Sequence, residues 1–292
     1  MPLAAQQPRR TRMPDALDAF NEIQRIKYEL WSEDYNVELA DAAPQSKLVA
    51  EGDSWFDYPP GLDILDQLKR MYGYKIYKVA EAGDTIENMA YGTEIRRNFT
   101  RRTPQLQETR AAIERHRPKV FLLSGGGNDL AGEELEAFLD HKDSKDAGAP
   151  LIRQDYVRYV FFEVFKNAYE HIMDEVWGVD SDIHILGHGY GNPTPDGRAV
   201  RFLWIKFAGP WLRPALARKN ITNPSEAKGI MHELIRLFNE MLKGLDDAHP
   251  NFHYLDLRDR IEVEDWVNEL HLSSEAYGRV AGIFHQEIQK YV

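Results

Sequence analysis

The chain has no cysteine among its 292 residues. That excludes disulfides, thiolate metal sites and a cysteine nucleophile, although it does not by itself fix a compartment. No apolar run approaches the roughly 18 residues that a membrane span requires. There is no internal repeat and no low-complexity tract. No H-E-x-x-H occurs, and the pairs His184/His188 and His249/His253 have no acidic third ligand at helpful spacing, so no metal is expected. Positive charge is in short supply: 36 basic against 47 acidic side chains leave a formal charge of −11. That balance argues against nucleic acid or an anionic membrane as the main partner. The one local exception, Arg96-Arg97 with Arg101-Arg102, is read as a solvated helix end rather than an anion site. Arg9-Arg10-Thr11-Arg12 is followed by Met13-Pro14-Asp15-Ala16 and not by an apolar signal core. A soluble, cytoplasmic protein without membrane insertion is therefore expected.

What is present is enough apolar material for a large core. Hydrophobic residues make up 43% and charged residues 28%, a composition suited to one large α/β domain. Residues 1–13 read as a disordered tail and residues 14–45 as an N-terminal helical extension. In the latter, Leu17, Phe20, Ile23, Ile26 and Leu30 fall at helical spacing before a connector at 41–45. Residues 46–292 form the main domain. Strands are expected at Lys47–Glu51, Tyr74–Ala80, Lys119–Ser124, Asp182–Leu186 and His253–Leu257. Helical patterns occupy Leu62–Tyr72, Ile86–Arg97, Thr103–His116, Asp155–Trp177, Pro224–Leu245 and Ser274–Gln289. This alternation implies right-handed crossovers and a five-stranded parallel sheet with helices on both faces. Two segments break it. Asp140–Gly148 reads as a mobile surface loop, and about 188–223 as an insertion after the fourth strand, carrying Phe202, Trp204, Phe207 and Trp211. The insertion walls the site or forms a subcore beside the sheet.

Ligands of open parallel sheets bind beyond the carboxyl ends of the strands, and three motifs fall at that rim. Gly52-Asp53-Ser54-Trp55 follows the first strand, placing a serine hydroxyl on a tight turn. Such a hydroxyl is either a nucleophile awaiting a base or a helix cap. Gly83, after the second strand, either offers an unobstructed N–H or simply turns the chain. Asn128 follows Gly125-Gly126-Gly127, where a side-chain amide can donate to an oxyanion. A phosphate cradle is the competing use of that loop, but it lacks a following lysine and G-x-G-x-x-G spacing. Of ten histidines, His271 stands out within Trp266-Val267-Asn268-Glu269-Leu270-His271. His188, after the fourth strand, reaches the rim as a substrate contact. Trp55, Phe56 and Tyr58, beside the serine, line an acyl pocket or pack.

In order and spacing these blocks resemble the SGNH (GDSL-type) hydrolase family across roughly residues 46–290. The matching residues are Gly52-Asp53-Ser54, Gly83, Gly126-Gly127-Asn128-Asp129 and His271. The resemblance implies a flavodoxin-like three-layer α/β/α fold and hydrolysis of small-molecule, carbohydrate or lipid esters without metal or cofactor. It assigns Ser54 as nucleophile and His271 as general base. The oxyanion hole would comprise the Ser54 and Gly83 amides with the Asn128 side chain. One position departs from the family pattern: Asn268 stands where an aspartate usually precedes the histidine by three. Either Asn268 orients a Ser54–His271 dyad, or Glu264, Asp265 or Glu269 substitutes, or the enzyme is slow. A decayed, binding or scaffold protein on the same fold is the alternative reading, and a nucleotide-binding domain using Gly125–Asn128 a third.

Overall fold

The computed structural model describes residues 13–36, 47–202 and 205–292. The tail expected over 1–13, except Met13, and the connector at 41–45 lie outside the described residues, as does Trp204. Helix α1 spans Met13–Asn36, β1 Lys47–Gly52, α2 Ile64–Tyr72 and β2 Lys75–Lys78. Helices α3 and α4 cover Ile86–Tyr91 and Gln105–His116, and β3 covers Val120–Ser124. A short α5 at Glu134–Ala137 precedes α6, Gln154–Tyr159, and α7, Lys166–Val179. Then come β4 at His184–His188, β5 at Val200–Phe202, β6 at Ile205–Ala208, and α8 at Leu212–Arg218. The chain closes with α9 at Pro224–Ala248, β7 at Phe252–Leu255 and α10 at Ser274–Ile288.

Five strands form one parallel sheet in the order β2-β1-β3-β4-β7. The near-continuous apolar runs Leu48-Val49-Ala50 and Val120-Phe121-Leu122-Leu123 supply its buried centre, as expected where both faces are covered. On one face α2 packs on α10, and α1 lies against α2; on the other α3, α4, α7 and α9 pack among themselves. The molecule is thus the expected three-layer α/β/α sandwich.

Three elements differ from the sequence expectation. Helix α3 stops at Tyr91 instead of Arg97 because Gly92 adopts φ 67° and donates to Asn88 O, a left-handed C-cap. The arginine-rich stretch beyond it is therefore a separate exposed turn, closed by an Ile95–Arg101 bridge and an Arg102–Glu94 ion pair of 2.5 Å. The long helix expected over Asp155–Trp177 contains a π-helical turn at Val160–Phe165, and Phe161 and Phe165 both bury and stack 5.3 Å apart. The insertion contains the antiparallel pair β5–β6 and helix α8, whose short, irregular pattern gave no periodic signal.

Helix α1 docks through its apolar stripe, with Phe20, Ile23, Ile26 and Leu30 half-buried. Leu17, placed on its apolar stripe, is 41% exposed. The helix is also anchored by Gln24, Lys27 and Trp31, which bond Pro59 O, the 58–66 segment and Asp66 respectively.

Candidate active site

The turn after β1 is shaped by a buried aspartate. Asp53 Oδ1 accepts from Trp55 N–H at 2.9 Å and from the Ser124 hydroxyl at 2.8 Å, and Oδ2 accepts from Tyr190 Oη at 2.5 Å. Burial pushes the Asp53 carboxyl pKa upward against these donors. Ser54 is left half-buried at the tip of this turn. It does not cap a helix: the N-cap of α2 is Asp63, which forms a capping box with Asp66.

Across the rim, the segment between β7 and α10 brings His271 to that tip. Its Nε2 lies 2.8 Å from Ser54 Oγ and its Nδ1 lies 3.0 Å from Asn268 Oδ1. The same Asn268 oxygen accepts Leu270 N–H at 2.9 Å and His271 N–H at 3.0 Å, which identifies it as the acceptor end of the amide. Nδ1 of His271 therefore carries the proton, and Nε2 presents its lone pair to the serine hydroxyl. The ring is buried, and desolvation pulls its pKa down to about 3. Tyr58 stacks on it at 4.3 Å and 14°, while Trp211 of the insertion meets it edge-on at 5.6 Å.

The carboxylates that might have replaced Asn268 face elsewhere. Glu264 is exposed, and Asp265 bonds Arg279 and Glu262 N–H. Glu269 is fully buried and accepts backbone N–H groups from Gly197, Trp211, Leu212 and Arg213.

Asn128 begins a short 3-10 turn, and its Nδ2 donates to Asp84 O at 2.8 Å, tying the two loops beyond β2 and β3 together. An amide has two N–H bonds, so one remains for a ligand. The glycines before it answer to packing rather than to phosphate. A Cβ on Gly126 would come within 2.4 Å of the Phe238 ring, and one on Gly125 within 2.7 Å of Ile86. Gly83 occupies an exposed turn and is not among the described residues lining the adjoining pocket.

His188, expected at the rim against substrate, lies beneath the site instead. It is completely buried; Nε2 lies 2.8 Å from Ser124 Oγ, Nδ1 lies 2.9 Å from Gly189 O, and the ring stacks on Trp55. The cause is its position as the last residue of β4, paired with Leu255, where alternation turns the side chain into the sandwich. Trp55 itself is 3% exposed; it lines the pocket and donates through Nε1 to Leu270 O at 3.0 Å.

The pocket beside Ser54 and Asn128 is walled by Trp55, Leu130, Leu212, Met231, Ile235 and Leu270. Its cavity volume is about 30 Å³. Leu212, Met231 and Ile235, from α8 and α9, were not legible as site residues, because in sequence they are ordinary apolar positions of helices. Tyr58 was legible only as an aromatic near the serine.

No protein-family model matches the chain, and no curated protein matches it. Solved structures do. The periplasmic domain of a lipopolysaccharide acetyltransferase from Salmonella ser. Paratyphi A is 10% identical, with 94% of this chain and 97% of that chain covered at a TM-score of 0.52. A family 3 carbohydrate esterase from Clostridium thermocellum is 14% identical, covering 84% and 97% at 0.45. An aryl esterase from M. Smegmatis is 9% identical, covering 84% and 99% at 0.47. At these identities the likeness speaks for the fold: the chain has the three-layer α/β/α fold of the SGNH (GDSL-type) hydrolases.

Proposed function

We propose that the protein is a serine ester hydrolase that forms an acyl-enzyme on Ser54. The observation that carries this reading is the continuous chain Ser54 Oγ–His271 Nε2–His271 Nδ1–Asn268 Oδ1, with contacts of 2.8 and 3.0 Å. His271, held neutral by burial, takes the Ser54 proton as Oγ attacks the ester carbonyl. The tetrahedral oxyanion is met by the free N–H of Asn128 and by the Ser54 and Gly83 amides. His271 then protonates the departing alcohol. Water, deprotonated by the same nitrogen, releases the acid and restores the serine. Each proton is handled by Ser54, His271 or water, so the cycle calls for no cofactor. A lipopolysaccharide acetyltransferase domain on this fold, by its name an enzyme of acyl transfer, supports the reading.

The pocket adds a size limit. Its roughly 30 Å³ is far below the ~300–1,000 Å³ of pockets that enclose drug-sized ligands, which suits a short acyl group against apolar walls. A p-nitrophenyl acetate ester is therefore expected to exceed the octanoate in kcat/KM by about tenfold or more. Ser54→Ala should reduce acetate turnover to background, and a fluorophosphonate should label the native protein stoichiometrically at Ser54. Unchanged turnover in that variant overturns the hydrolase. Folded wild-type protein that resists the fluorophosphonate would favour the scaffold reading that Asn268 first suggested.

A further inference from the structure

Helix α1 lies outside the sheet, yet its contacts converge on the residue that stacks on His271. Lys27 Nζ, whose side chain is 13% exposed, donates to Tyr58 O at 3.0 Å and Gly61 O at 3.1 Å. The same ammonium meets Asp63 Oδ2 at 3.0 Å and Asp66 Oδ2 at 2.6 Å. Asp63 Oδ2 in turn accepts Tyr58 N–H at 3.1 Å. Both backbone polar groups of Tyr58 are thus fixed by one cluster centred on Lys27. Gln24 pins the next residue through Pro59 O at 2.9 Å, and Trp31 Nε1 donates to Asp66 Oδ1 at 2.7 Å. At the other end of Tyr58, the ring lies flat on the His271 imidazole and Oη accepts from Asn268 Nδ2 at 3.2 Å. Tyr58 therefore touches both the histidine and the amide that orients it.

We propose that α1 is a working part of the active site: through Lys27 it holds Tyr58 against the His271–Asn268 pair, making Lys27 a positioning residue for the general base. The inference rests on the reading of His271 as base. A carboxylate behind the imidazole would fix the ring by charge as well as by hydrogen bonding. Asn268 offers only a neutral bond, so the ring's orientation depends more on the aromatic surface beneath it. Without Lys27, the Asp63 and Asp66 carboxyl groups would face each other, Gly61 O would lose the Lys27 donor, and Tyr58 O would keep Gly61 N–H at 3.3 Å in place of two donors. The 58–63 loop would relax, and Tyr58 would move with it.

The test is Lys27→Met in the full chain, with Arg25→Met as control. Arg25 lies on the same helix but, among the described residues, pairs with Glu22 and Glu29 on the surface. In Lys27→Met, kcat on p-nitrophenyl acetate is expected to fall about tenfold to a hundredfold while KM stays within about twofold, the signature of misplaced chemistry in an intact pocket. Independently of turnover, the His271 ring-proton resonances should lose the upfield displacement that the Tyr58 face imposes. Arg25→Met should leave both readouts at wild-type values. Wild-type kcat together with unshifted His271 resonances in folded Lys27→Met overturns the proposal. If that variant does not fold, Lys27→Met/Asp66→Asn, which removes one charge of each sign and leaves Asp63 as the N-cap of α2 and the acceptor of Tyr58 N–H, decides by the same two readouts. Ser54→Ala measured alongside separates the two claims. If turnover survives it, the hydrolase reading falls, while the resonances still judge the strut.

Discussion

Asn268 gives His271 an acceptor for its Nδ1 proton but no negative charge, so burial acts on the imidazole unopposed and draws its pKa to about 3. Two consequences follow at this one residue. On the proposed function the resting base is neutral across the ordinary pH range, so kcat/KM should stay level from pH 8 down to about 5 rather than falling near the usual histidine value. The imidazolium that the proposed attack would form lacks a compensating carboxylate, which should slow the step; in a well-studied serine protease the corresponding loss costs on the order of 10⁴ in rate. Asn268→Asp tests both. The aspartate would accept the same three N–H groups and could take a proton from Tyr58 Oη in place of the present bond. Its charge should raise the imidazole pKa and move the acid limb of the profile toward neutrality. At pH 8 it should raise kcat by about tenfold or more. An unmoved acid limb would mean that this side chain does not control the histidine.

Strand β1 carries a buried acid, one the sequence gives no reason to notice. Glu51, 1% exposed, accepts Gly52 N–H at 3.1 Å and meets Thr109 Oγ1 at 2.6 Å; burial pushes its pKa up to about 8. The folded protein therefore keeps a proton that the unfolded chain releases above its model value of 4.5. Stability should fall as pH rises through that window and level off above it, by up to about 5 kcal/mol. Glu51→Gln retains an acceptor for Gly52 and a donor for Thr109 without the titration. Urea unfolding at pH 5 and pH 8 should therefore show the slope in wild type and little of it in the variant. The elements themselves were more legible than such details. Unbroken runs such as Val120–Leu123 announced buried strands, and α2, α4, α9 and α10 came close to their sequence bounds because long periodic patterns survive local noise. Helix α3 was over-extended because the left-handed stop at Gly92 outweighed continuing helical propensity. The β5–β6 pair was missed because three- and four-residue strands carry no measurable period.

Over the whole molecule, the rim of the sheet could be foreseen but the material built over it could not. Ser54, Asn128 and His271 each end a recognisable strand or precede a recognisable helix, so topology alone gathers them. The pocket wall, the Tyr58 platform and the burial of His188 depend on packing between segments more than a hundred residues apart, which single-sequence patterns do not encode. Glu269 is the clearest such link. Two residues before His271, it accepts N–H groups from Gly197, Trp211, Leu212 and Arg213 at 2.7–3.0 Å, fastening the insertion and the start of α8 to the histidine turn. Trp211, held this way, meets the His271 ring, and Leu212 walls the pocket. Glu269→Gln would replace an acceptor oxygen with a donor amide facing N–H groups, leaving at least one of them unpaired in the interior. A loss of about 2–4 kcal/mol in urea unfolding is expected. Hydrolysis should suffer beyond that loss: under fully folding conditions, the octanoate-to-acetate preference should rise as Leu212 withdraws from the pocket. A variant destabilised to this extent but with unchanged chain-length preference would show that the insertion supports the fold without shaping the site.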